Sequence, residues 1–112
     1  MNAKLVRFET ILEKIECFSS RCWLYLPSKE KWGLSSSAAV LESDEVPPEL
    51  EDEPDAGIPQ FAKDNKLMQV IPISELQDIV KNAKAQKNNI DIFGLFNAFV
   101  HYYDNDDYII YS

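Results

Sequence analysis

Histidine occurs once in this chain, cysteine twice and glycine three times, and lysine plus arginine reach only 11 against 19 acidic residues. Each scarcity closes a class of function. Gly33, Gly57 and Gly94 lie far apart, so no glycine-rich phosphate loop can form. Cys17 and Cys22 lack the second pair of a zinc ribbon, and only His101 could join them, so they read as reduced, half-buried thiols. No metal site and no cofactor are expected. The formal net charge of −8 repels a phosphate backbone, which argues against direct binding of nucleic acid. No apolar run has the length of a membrane span, and residues 1–9 lack the uninterrupted apolar stretch of a signal peptide, so a cytoplasmic location without membrane attachment is expected.

What is present is enough for one packed domain. The chain has 112 residues, 46 % of them hydrophobic and 12 % aromatic. That suits a single core over 1–112 without disulfide or metal support.

Leu5, Phe8, Ile11, Leu12 and Ile15 recur at a helical period, predicting an amphipathic helix from about Lys4 to Cys17. Cys22–Leu26 is aromatic and apolar on both alternating faces, which predicts a central strand covered on both sides, with Trp23 and Tyr25 in the core. A turn at 28–31, a return beginning at Trp32 and a second strand at Ser37–Leu41 complete a hairpin-like unit.

Residues 42–57 then change character. They carry Glu42, Asp44, Glu45, Glu49, Glu51, Asp52, Glu53 and Asp55 with Pro47, Pro48 and Pro54, and no lysine or arginine. Repelling charges and missing backbone donors predict an extended surface loop. Beyond it, 58–65 is ambiguous, with Phe61 as its anchor, and Leu67–Ile71 predicts a third strand.

Ser74 and Gln77 match a capping box at the start of a helix with the stripe Leu76, Ile79, Val80 and Ala83, ending near Lys81, Lys84 and Lys87. Ile92, Leu95, Phe96, Phe99 and Tyr103 form a second stripe, with Phe93 and Val100 elsewhere on the circumference, which predicts a helix at the centre of the core. Asp104–Asp107 reads as a turn and Tyr108–Tyr111 as a last strand. The fold class is therefore α+β: a three- to four-stranded, mainly antiparallel sheet with about three helices packed on it.

Catalysis has little to stand on. His101 reads as a helix-surface residue or the cap of a core pocket, and Cys17, Cys22 and His101 would be the only nucleophile or base candidates of a small enzyme. Asp104, Asp106 and Asp107 lack the ligand spacing of a calcium loop. The expectation is a binding protein and not an enzyme. Glu42 to Asp55 form one candidate negative surface and Asp104, Asp106 and Asp107 another, with Trp32, Tyr103 and Tyr108 as nearby aromatic anchors. Solvated loops that only aid solubility are the plain alternative.

Three stretches carry a resemblance. Trp23-Leu24-Tyr25-Leu26-Pro27 with Trp32, Leu76-Gln77-Asp78-Ile79-Val80 with Asn82-Ala83, and Ala98-Phe99 with Tyr102-Tyr103, Asn105-Asp106 and Ile109 together resemble a small bacterial domain family of undetermined biochemistry. In size and acidity the chain is also similar to immunity proteins of contact-dependent growth inhibition and related polymorphic-toxin systems. That resemblance implies a cytoplasmic protein, monomeric or weakly dimeric, that binds a cognate, basic toxin domain such as a nuclease and occludes its active site. A mimic of DNA's charge that inhibits a nucleic-acid enzyme is the alternative.

Overall fold

A computed structural model describes residues 5–42 and 58–109. The elements are β1 (Val6–Arg7), α1 (Phe8–Glu13), β2 (Trp23–Leu26), β3 (Ser37–Leu41), α2 (Gln60–Asp64), β4 (Met68–Pro72), α3 (Ile73–Gln86) and α4 (Ile92–Asn105), with 3-10 turns at Ile15–Cys17 and Lys29–Lys31. The strands form one antiparallel sheet in the order β1-β3-β2-β4. The expected α+β class is what is found.

β2 lies inside the sheet because its residues satisfy both faces. Leu24 and Leu26 join Ala38 on the side covered by α1, α3 and α4, in a core with Phe8, Ile11, Leu12, Leu76, Ile79, Val80 and Phe99. Tyr25 faces the other way, into a smaller cluster with Ala39, Ala62 and Leu67, flanked by Trp23, Leu41, Ile58 and Phe61. The period-2 alternation of a strand thus divides one short run between two cores. Tyr25 is completely buried, and its hydroxyl accepts a hydrogen bond from Gln69 Nε2 at 3.0 Å. Pairing shifts between Leu24↔Ile71 and Tyr25↔Gln69, leaving Val70 as an extra residue in β4.

The segment 58–65, ambiguous in sequence, folds as the short helix α2 and closes the smaller cluster. Its end is a Schellman motif: Leu67 N–H donates to Ala62 O at 2.9 Å and Lys66 N–H to Lys63 O at 3.1 Å, with Lys66 left-handed at φ 57°.

Three expectations need correction. The first helix is short: Val6 and Arg7 are a strand pairing with Ala38 and Ser37, and α1 spans only Phe8–Glu13 before the backbone turns at Lys14. The reason is competition for hydrogen bonds. β3 offers a free edge, and the first α1 amides find loop carbonyls, Phe8 N–H to Ser36 O at 3.0 Å and Glu9 N–H to Leu34 O at 2.8 Å.

The Ser74–Gln77 capping box does not form. α3 starts two residues earlier than that box implies, at Ile73, with Pro72 as its N-cap and no side-chain cap. Gln77 instead reaches out of the helix, donating from Nε2 to Ile15 O and Phe18 O, each at 3.0 Å. The carbonyls at the end of the 3-10 turn, Ile15 O already accepting from Phe18 N–H at 3.3 Å, take Gln77 in place of a local cap.

α4 is not enclosed. Leu95, Ala98 and Phe99 are buried, but Phe93 is 65 % exposed and Tyr103 37 %. α1 and α3 cover its buried face, and part of the apolar excess of this helix remains on the surface.

Among the described residues the fourth strand is β1, and the expected C-terminal strand falls in part on Ile110 and Tyr111, outside the described residues. Tyr108 and Ile109 are irregular. Ile109 nonetheless returns alongside α3, its carbonyl accepting from Gln86 Nε2 at 2.8 Å.

Candidate functional site

α3 and α4 are consecutive helices packed side by side, joined by a short turn, so the start of α3 meets the end of α4. Asp91 caps α4 by accepting from Gly94 N–H at 2.9 Å. Gly94 is required there, since a Cβ at this position would lie 2.4 Å from Ile90 Cγ1. The other end of α4 stops at Asp106, left-handed at φ 57°, whose N–H donates to Tyr102 O at 2.7 Å.

An aromatic column rises from the core to this end. Phe8 packs edge-on against Phe99 with centroids 5.1 Å apart, Trp32 lies 5.4 Å from Phe99, and Tyr103 stands edge-on to Trp32 at 4.9 Å. Trp32 is half-buried and fixed by its indole N–H donating to Pro27 O at 2.8 Å. Lys29 completes the column, its ammonium 5.4 Å from the centre of the Tyr103 ring and paired with the Asp104 carboxylate. On the neighbouring face of α4, Tyr102 and Tyr108 lie 5.4 Å apart at 40°.

This end of the molecule is strongly acidic. Burial pushes the Tyr102 hydroxyl above its ordinary pKa, and the negative charges of Glu75, Asp106 and Asp78 add to that shift. Nothing in the sequence pattern distinguishes Glu75 and Asp78 from the rest of the polar side of a helix. They sit three residues apart on the exposed face of α3, and only the packing of α3 on α4 brings them to Tyr102.

Of the candidate partner-binding residues, the fold brings Trp32 and Asp104 together through Lys29 and Tyr103, with Asp106 and Asp107 following on the exposed turn. Glu42 is exposed at the end of β3. It raises the Cys22 thiol pKa, secondary to that group's burial. Asp44, Glu45, Glu49, Glu51, Asp52, Glu53 and Asp55 lie outside the described residues.

The enzyme candidates are not assembled. Cys17 is exposed, Cys22 is half-buried with its thiol pKa raised, and no hydrogen bond joins either to His101. His101 is half-buried on α4, where Asn105 Nδ2 donates to its backbone carbonyl at 3.0 Å. Among the described residues no group of three His, Cys, Asp or Glu side chains is placed to hold a metal ion, and no helix is long and apolar enough to cross a membrane.

These features define a small antiparallel α+β domain in which Trp32, Tyr103 and Tyr108 lie with Asp104, Asp106 and Asp107 at one end of a helical hairpin. No curated protein and no solved structure matches the chain significantly. Over residues 5–111 it matches a family described as a domain of unknown function, DUF7716, and it belongs to that family.

Proposed function

We propose that this domain is a binding protein that neutralises a basic protein partner, in the manner of the immunity proteins it resembles. The observation that carries the reading is the end of the α3–α4 hairpin. Half-exposed Tyr103 and Tyr108 and half-buried Trp32 sit there among Glu75, Asp78, Asp104, Asp106 and Asp107. Rigid aromatic anchors beside a cluster of carboxylates are what a partner of opposite charge engages. Inhibition follows from occlusion: a domain seated on a nuclease's basic substrate path excludes the nucleic acid. No bond is made or broken by this chain in that role.

The reading is tested by co-expression with the product of the adjacent gene in a susceptible host. The expected result is protection of growth and a complex that survives size-exclusion chromatography at low salt and weakens as salt is raised. Neither protection nor complex would overturn it.

A further inference from the structure

The seat in the last turn of α4 is defined by the group already held in it. Lys29 and Asp104 are 75 residues apart in the chain, yet the Lys29 ammonium pairs with the Asp104 carboxylate and lies 5.4 Å from the centre of the Tyr103 ring. Three attractions converge on that ammonium: the carboxylate, the negative face of the ring and the partial negative charge at the C-terminus of the helix. The ring is held by Trp32, edge-on at 4.9 Å, and Trp32 by its bond to Pro27 O. The backbone carrying Lys29 is also fixed, since Lys31 N–H donates to Ser28 O at 2.8 Å and Trp32 N–H to Lys29 O at 3.1 Å. The ion pair itself is held weakly: the two side chains are 49 % and 41 % exposed, and water screens a pair so placed. A rigid aromatic and acidic seat thus carries a tethered cation whose side chain can leave without disturbing the backbone.

We propose that this seat takes a lysine ammonium of the partner protein, and that Lys29 is its built-in competitor, displaced when the partner docks. This rests on the protein-binding reading above and adds the chemistry and the regulation of the contact. The exchange conserves the pairing, because Asp104 and the Tyr103 ring trade one ammonium for another. Its cost is set by how much of the time Lys29 closes the seat, which lowers the apparent affinity by the same factor.

The test is a titration of the full chain with a hexalysine peptide at low salt, followed by chemical shifts, with ε-acetylated hexalysine alongside. Hexalysine is expected to perturb Lys29, Tyr103 and Asp104 most, and the acetylated peptide to leave them unchanged. Lys29→Met keeps the aliphatic stem, removes the competing charge and should tighten hexalysine about two- to fivefold, the factor that an exposed ion pair withholds. Lys29→Gln should do the same. Lys31→Met makes the same change in net charge two residues away and should leave the affinity nearly unchanged. Asp104→Asn should weaken hexalysine severalfold and cancel the gain of Lys29→Met when the two are combined. All three positions are exposed, so these variants spare the core.

Equal gains from Lys29→Met and Lys31→Met, a gain that survives Asp104→Asn, or shifts centred elsewhere would overturn the exchange, since general charge attraction would then account for the binding. Failure here is separable from failure of the function. If the native chain protects growth while K29M and K31M bind hexalysine alike, the exchange falls and the binding role stands. If K29M alone tightens hexalysine while the native chain gives no protection, the seat stands and the neutralising role falls.

Discussion

At one end of the α3–α4 hairpin, Glu75, Asp78, Asp104, Asp106 and Asp107 surround tyrosines and a tryptophan; toward the other, Lys81, Lys84 and Lys87 are exposed on α3, near the turn that leads to exposed Phe93. The lysine end is explained by stability. Lys84 and Lys87 lie at the C-terminus of α3, where its dipole favours cations, and Asp91 caps the start of α4. The acidic end is only half explained that way. Glu75 suits the N-terminus of α3, but the aspartates crowd the negative end of α4. The aspartates there stand against the helix dipole, and the fold offsets this at Asp104 with Lys29.

The largest expected effect comes from Trp32→Ala. It removes the ring that links Phe99 to Tyr103, costing about 2–4 kcal/mol in urea unfolding and scattering the aromatic anchors of the proposed surface. Gly94→Ala strikes the opposite end, forcing Ile90 aside at about 1–3 kcal/mol, while partner affinity stays unchanged once folding is corrected for. Loss of affinity in that variant would mean the Phe93 end also docks.

Asp106→Gly separates stability from function most sharply. It relieves a left-handed conformation and removes a charge opposed to the dipole, so thermal or urea unfolding should show a gain of about 1 kcal/mol. Affinity for the partner should fall in the same variant.

The smallest effect is a titration. Burial and neighbouring carboxylates raise the Tyr102 pKa above 10.0. The folded state therefore holds this proton more tightly than the unfolded chain. The associated stability is complete below the unfolded value and lost as pH rises through the folded one. In E75Q/D78N the ultraviolet titration of this tyrosine should move down toward 10.0, with burial keeping part of the shift.

Hydrophobic periodicity alone makes β2, β3, β4, α3 and the stripe of α4 legible, because each buries a face long enough to imprint its period on the chain. Val6–Arg7 escapes, since two residues carry no period and their pairing with β3 is a tertiary event. Gln77 shows a second limit: a residue that fits a local cap is claimed by two distant carbonyls. For the site, Trp32, Asp104, Asp106 and Asp107 stand out in the sequence as aromatic and charged residues. Glu75, Asp78 and Tyr102 do not, because their meeting depends on how one helix lies on another.

Leu41, just before the acidic stretch 42–57, and Ile58, just after it, both pack against the cluster of Tyr25, Ala39, Ala62 and Leu67. Both ends of that stretch are thus pinned at the same place, and closing the chain between them carries a ring-closure entropy that grows slowly with length. Doubling such a connection costs about 0.6 kcal/mol. In closure entropy alone, a longer connection between Leu41 and Ile58 therefore costs the sheet little.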